Sequence, residues 1–305
     1  MREVIYPPTI STGDRVAVLS PSGGLPEVFP AVFERGLRRL SEDFGLIPVE
    51  YPTTRVLRSS MIDRARDLHA AFADPEIRAI FCAIGGDDQI KLLRYLDPEL
   101  LRAHPKRFFG YSDATNIELF LWNLGIVSFY GGAIMVQFGM AGGMHAYTVE
   151  SLRHALFAPG EVEIRPAPSY TDEDRDWNDL AQLALPPNMW PNPGWEWVNA
   201  DQTVEGVTRG GCLEIIDYQL RAGRYLPRGE DCDGAILLLE TSEELPDSLY
   251  VYRVLMGMGE RGLLQRFAAV LVGRAKAWAI NRRQTPEQKA AYVREQRAAI
   301  QRALD

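Results

Sequence analysis

The sequence is poor in the two side chains that most often carry reactive chemistry: its 305 residues include three cysteines and four histidines. Cys82, Cys212 and Cys232 are widely spaced and odd in number, which gives neither a disulfide framework nor the paired ligands of a zinc site. Cys82 and Cys212 stand among apolar neighbours and read as small buried hydrophobes. There is no basic excess either. Lys and Arg total 33 against 41 Asp and Glu, a formal charge of −8, so a nucleic-acid backbone is excluded as the main partner and a small ligand of mixed charge fits better. No apolar run approaches the roughly 20 residues of a membrane span, and the opening Met-Arg-Glu-Val-Ile-Tyr-Pro-Pro lacks a signal-peptide core. A cytoplasmic protein with no membrane partner is the expectation. Nothing in the residue pattern asks for a metal or an organic cofactor, and no internal repeat or low-complexity tract is present.

What is there is length enough for two domains and a regular alternation of short apolar runs with amphipathic segments. Strands are predicted over Arg15–Pro21, Ile47–Tyr51, Ala79–Ile84, Arg107–Tyr111 and Val127–Tyr130. Helices are predicted over Glu27–Phe44, Met61–Phe72, Asp88–Leu96 and Ala114–Leu124, with Gly45 as a C-cap. That alternation defines an α/β fold with a parallel sheet wrapped by helices over residues 1–158. Residues 159–202 change character. Pro166, Pro168, Pro186, Pro187, Pro191 and Pro193, the acidic run Asp172-Glu173-Asp174 and Trp177, Trp190, Trp195 and Trp197 mark a junction with a long loop. Residues 203–305 read as a smaller, β-rich C-terminal domain. Its strands are Thr203–Thr208, Gly234–Glu240 and Ala268–Gly273, its helices Ser248–Gly262 and Thr285–Leu304, the last opened by a capping box.

Ligands of a parallel sheet bind beyond the carboxyl ends of its strands, and three glycine- or serine-bearing turns fall there: Ser20–Gly24, Gly85–Asp88 and Ser112–Asp113. Ser112 lies between a strand and a helix, the placement of a nucleophile elbow, although Gly-x-Ser-x-Gly is absent; a plain helix cap from Ser112 or Asp113 is the commoner use of such residues. Gly85 and Gly86 allow a ligand to approach backbone N–H groups or simply make a tight turn, and Asp88 adds a charge that speaks against a kinase-like phosphate loop. Glu214, in Gly-Gly-Cys-Leu-Glu-Ile, is a carboxylate among apolar neighbours that needs a partner, either a histidine to orient or a helix start near Asp217 to cap. Trp195 and Trp197 alternate in strand fashion and read as packed. Trp177 and Trp190, in polar Pro-flanked surroundings, are the candidates for stacking a nucleobase.

Ser20-Pro21-Ser22, Ala83-Ile84-Gly85-Gly86, Gly110-Tyr111-Ser112-Asp113-Ala114-Thr115, Gly210-Gly211-Cys212-Leu213-Glu214 and Leu271-Val272-Gly273-Arg274 together resemble the LD-carboxypeptidase family of serine peptidases. The Trp-bearing insertion is most similar to its microcin C self-immunity branch. The resemblance implies a flavodoxin- or Rossmann-like N-terminal domain, a smaller β-rich C-terminal domain, a site between them, a homodimer and a Ser-His-Glu triad. On it Ser112 is the nucleophile and Glu214 the triad acid, with the N–H groups of Gly86 and Asp113 as the oxyanion hole. It further implies a histidine after a helix matching Thr285–Leu304. No histidine follows His154, so the expectation is a fragment lacking that last stretch; otherwise one of His69, His104, His145 or His154 would have to serve, His145 being the best placed in its Gly-rich loop. The implied activity is cleavage of an amide in a peptidyl or aminoacyl nucleotide, with murein LD-carboxypeptidase action, or binding of the conjugate without turnover, as alternatives.

Overall fold

Five parallel strands form the larger sheet of the computed structural model, which describes residues 4–305: β1 (Arg15–Leu19), β2 (Ile47–Glu50), β3 (Ile77–Cys82), β4 (Arg107–Gly110) and β5 (Phe129–Tyr130), in the order β2-β1-β3-β4-β5. The sequence direction reverses between β1 and β3, and a crevice opens at such a switch point outside the carboxyl ends. The helices α1 (Pro30–Glu42), α2 (Met61–Ala73), α3 (Pro98–Ala103), α4 (Thr115–Leu124) and α5 (Ala146–Phe157) accompany it, with the short α6 (Leu180–Leu183). This unit comprises residues 4–164 and 176–186. Its core is built on aromatic rings in register: Phe81 on β3, Phe109 on β4 and Phe129 on β5 are cross-strand neighbours. Their rings stack with centroids 4.7 and 4.9 Å apart. Each such pair contributes about 0.5–1.5 kcal/mol beyond its burial, so β4 is pinned from both sides where it delivers Ser112.

The second unit comprises residues 165–175 and 187–305. A two-stranded hairpin, β6 (Ser169–Tyr170) with β7 (Trp190–Pro191), stands apart from a three-stranded parallel sheet of order β10-β9-β8: β8 (Thr208–Cys212), β9 (Ile236–Glu240) and β10 (Ala269–Val272). The helices α7 (Leu213–Ala222), α8 (Ser248–Glu260) and α9 (Pro286–Leu304) complete it, α9 opened by the expected Thr285–Gln288 capping box. Gly210 in β8 has φ +150°, and a side chain there would lie 1.7 Å from the Leu238 carbonyl, so the Gly-Gly pair lets β8 pair closely with β9.

Several local expectations are corrected. Residues 88–96 form two short 3₁₀ turns, Gln89–Lys91 and Leu93–Tyr95, because Gln89 is drawn into the sheet edge. The helix α3 was not foreseen, although Asp97-Pro98-Glu99 carries a cap-and-proline start and Asp97 does accept the N–H of Glu99 and Leu100. The strand predicted from Thr203 begins only at Thr208. Trp195 and Trp197 lie outside any strand and are 51% and 66% exposed, packed edge-to-face on each other. Among the described residues no helix is long and apolar enough to cross a membrane.

Candidate active site

β4 ends at Gly110, and the chain passes through the extended Tyr111 into Ser112, which takes φ +59°. A non-glycine residue in this left-handed region costs about 1–2 kcal/mol and persists only where its surroundings over-determine it. The surroundings are in place. The Ser112 N–H donates to the Tyr130 hydroxyl at the end of β5 (3.3 Å), and Asp113 and Ala114 behind it are fully buried. A 3₁₀ turn, Ser112–Ala114, then runs into α4. The geometry is that of a nucleophile elbow, with the side chain turned out at the carboxyl edge and partly exposed. Capping of α4, the other use open to Ser112 or Asp113, is supplied from elsewhere: Gln89 Oε1 accepts the N–H of Ile117 at 3.1 Å.

The Gly85–Gln89 loop faces this turn. A Cβ on residue 85 would stand 3.0 Å from Ser112 Cβ, 3.1 Å from its Oγ and 3.5 Å from the Asp113 nitrogen, so only glycine lets the loop come this near. The Gly23 N–H donates to the Gly85 carbonyl at 3.0 Å, joining the turn after β1 to the loop after β3. Asp88 is neutralised by buried Arg64 at 2.9 Å, so it adds no net charge to the loop. Its N–H and that of Gln89 are taken by the Asp113 carboxylate at 3.2 and 3.0 Å. Those two amides are therefore spent internally, which counts against a phosphate cradle.

In the second unit Glu214 is 7% exposed in the first turn of α7. Its Oε1 accepts the Ser242 N–H at 3.0 Å and hydroxyl at 2.7 Å, and its Oε2 the Cys212 thiol at 3.4 Å. Both oxygens have partners, and they brace the loop that follows β9. Glu240, which the sequence reading passed over, ends β9 itself, beside Cys212 in the ladder. The signal was available: one carboxylate closing the apolar strand Ile236-Leu237-Leu238-Leu239, at the edge where parallel sheets bind ligands.

The tryptophans separate. Trp177 packs edge-on against Phe29 (5.3 Å) at the border of the first core. Trp190 is 47% exposed on β7, in a hairpin where Arg274 lies 3.9 Å over the Tyr170 ring and pairs with Asp172 at 2.6 Å. Of the histidines, His69 accepts the Asp97 N–H on its Nε2 (2.9 Å), and burial lowers its pKa. His104 follows α3 and His154 lies in the last turn of α5. His145 precedes α5, with its Nε2 buried without a partner and its pKa lowered by burial. Burial pushes all three cysteine thiols up, away from nucleophilic thiolate. Among the described residues no cluster of three His, Cys, Asp or Glu side chains is placed to hold a metal ion.

A doubly wound parallel sheet with a strained serine turn at its carboxyl edge, faced by a glycine loop, defines an α/β enzyme of the hydrolase class. The chain belongs to the LD-carboxypeptidase family: residues 16–131 match the family's N-terminal domain and residues 205–305 its C-terminal domain. A Streptomyces coelicolor relative that carries the carboxypeptidase name is 32% identical over 292 residues, 92% of this chain and 79% of that one. The microcin C7 self-immunity protein MccF of Escherichia coli is 27% identical over 241 residues, 77% of this chain and 68% of that one. Among solved structures, an MccF-like protein from Streptococcus pneumoniae in complex with AMP superposes with a TM-score of 0.83 at 28% identity, covering 96% of this chain and 88% of that one.

Proposed function

We propose that this chain is a serine hydrolase that cleaves the amide of a peptidyl or aminoacyl nucleotide, a detoxifying reaction of the microcin-immunity type. The observation that carries the reading is Ser112 at φ +59° against the Gly85–Gly86 loop. Ser112 Oγ attacks the carbonyl and its proton passes to the imidazole base that the family resemblance implies. The N–H groups of Gly86 and Asp113 receive the charge that develops on the carbonyl oxygen. Ser112's own N–H is engaged by Tyr130, which leaves the amide after the nucleophile for this task, as in other elbows. Glu214 is the acid that the resemblance assigns to orient the imidazole. Because its oxygens already hold Ser242 and Cys212, Glu240 at the end of β9 is a second reading for that role. Support for a nucleotide leaving group comes from Trp190, an exposed ring on a hairpin that Arg274 holds through Tyr170 and Asp172, and from the AMP complex of the pneumococcal relative.

A competition experiment tests the substrate class. With an aminoacyl sulfamoyl-adenylate and a murein tetrapeptide offered together, binding of the adenylate is expected, with hydrolysis that is slow wherever the imidazole base is lacking. Hydrolysis of the tetrapeptide with no binding of the adenylate would make the enzyme a murein carboxypeptidase instead. Tight adenylate binding without turnover would make it a sequestering protein.

A further inference from the structure

We infer that the buried carboxylate of Asp113 is a positioning residue that locks the Gly85–Gln89 loop against the nucleophile turn, and so sets where the two oxyanion donors stand. The inference rests on Ser112 being the nucleophile. An acidic residue at the start of a helix ordinarily accepts N–H groups from that helix's own first turn. Asp113 does otherwise. It is 0% exposed, and its Oδ2 accepts the N–H of Asp88 (3.2 Å) and of Gln89 (3.0 Å), residues on a different loop, while its Oδ1 accepts Asn116 Nδ2 (2.9 Å). The loop returns the exchange: Gln89 Oε1 accepts the N–H of Ile117 in α4, and Gln89 Nε2 donates to Ser22 Oγ at 2.7 Å. Through Asp113 and Gln89 the turns after β1, β3 and β4 are thus tied together; the backbone N–H of Asp113 is one proposed oxyanion donor, and the amides its carboxylate anchors begin two residues after the other, Gly86.

A carboxylate is needed for this because three donors, the N–H groups of Asp88 and Gln89 and Asn116 Nδ2, converge on two oxygens that have no hydrogens of their own. Burial opposes the charge and pushes the Asp113 carboxyl up to about 6, and the converging donors offset that cost. An asparagine offers one oxygen. Turned towards Asp88 and Gln89, its NH₂ would confront the NH₂ of Asn116, which also donates to the Asp113 carbonyl at 3.2 Å and so has little freedom to flip. The loop anchor or the Asn116 bond is lost in either orientation.

Steady-state hydrolysis of aspartyl sulfamoyl adenosine tests this with Asp113→Asn, Ser22→Ala and Ser112→Ala. Removing an oxyanion donor outright lowers kcat by about 10²–10³; displacing the loop that carries one should lower it by about 10–10², with KM within about threefold, since ground-state binding does not depend on the donors. Ser22→Ala, which leaves both backbone anchors, should give a smaller loss of kcat in the same direction. Wild-type kcat in a folded Asp113→Asn protein would overturn the inference. So would a Ser22→Ala protein that lost thermal stability but no kcat, which is what a purely structural network predicts. If instead Ser112→Ala retained full activity, the reading of the nucleophile itself would fail.

Discussion

Replacing Gly85 by alanine perturbs the nucleophile turn at one defined point. The added methyl would lie 3.0 Å from Ser112 Cβ and 3.1 Å from Oγ, whereas carbon atoms at rest sit about 3.5–4.0 Å apart, so roughly half an ångström has to be found. The loop cannot retreat easily, because the Gly85 carbonyl accepts the Gly23 N–H and Gln89 is fixed to Asp113. Ser112 cannot easily yield either, being held at φ +59° with its N–H on Tyr130. Overpacking of this kind costs about 1–3 kcal/mol, a fall in Tm of roughly 2–4 °C per kcal/mol in a domain of this size. The larger effect is on chemistry: misplacement of a reacting group by a fraction of an ångström to one ångström costs up to about 10² in rate. Hydrolysis assays beside thermal unfolding should therefore find kcat down by about 10–10² in a protein that still folds. Gly257→Ala is the control, since nothing lies within 4 Å of that position in α8 and removing a helix glycine should stabilise by about 0.5–1 kcal/mol. A Gly85→Ala enzyme with wild-type kcat would refute the close approach of loop and nucleophile.

Trp190→Ala should weaken binding of an adenylate conjugate by about 1–3 kcal/mol per lost stack, with little change in Tm, while Trp177→Ala should lower Tm through its lost contact with Phe29; isothermal titration and thermal melts separate the two, and unchanged affinity in both proteins would dismiss a stacking role. Glu214→Gln should release the loop after β9 and cost stability, whereas Glu240→Gln should lower kcat with little change in Tm; the reverse outcome returns the acid's role to Glu214. His69 is kept neutral by burial and accepts the Asp97 N–H, so the unfolded chain takes up its proton first. Its contribution to stability is present above its ordinary value of 6.5 and is lost as pH falls through and below it. His69→Gln, which keeps an acceptor, should flatten the fall in Tm between pH 7 and 5, and an unchanged slope would remove His69 as its source.

The larger sheet was legible because its strands are short apolar runs separated by amphipathic helices, and a period of that kind has one solution. Ser112 was legible as a strand-to-helix turn, but the choice between nucleophile and cap was not, since it depends on where the orphan N–H groups of α4 find acceptors. That acceptor is Gln89, 28 residues upstream of Ile117, and no local pattern announces it. The same contact explains the misread helix at 88–96, whose amphipathic residues were recruited to the sheet edge. Trp195 and Trp197 misled for a related reason: alternation indicates a strand only where a partner strand exists, and here none pairs with them. Glu240 is less conspicuous in the sequence than Glu214, which lies inside a Gly-Gly motif, although a carboxylate at the end of a parallel strand is as strong a signal.

The most direct measurement is covalent labelling of the protein with a fluorophosphonate, followed by peptide mass mapping. A single adduct on Ser112, absent from Ser112→Ala and slowed in Gly85→Ala, is the predicted result. An adduct on another residue, or hydrolysis that continues at the wild-type rate in Ser112→Ala, would contradict the assignment of Ser112 as the nucleophile.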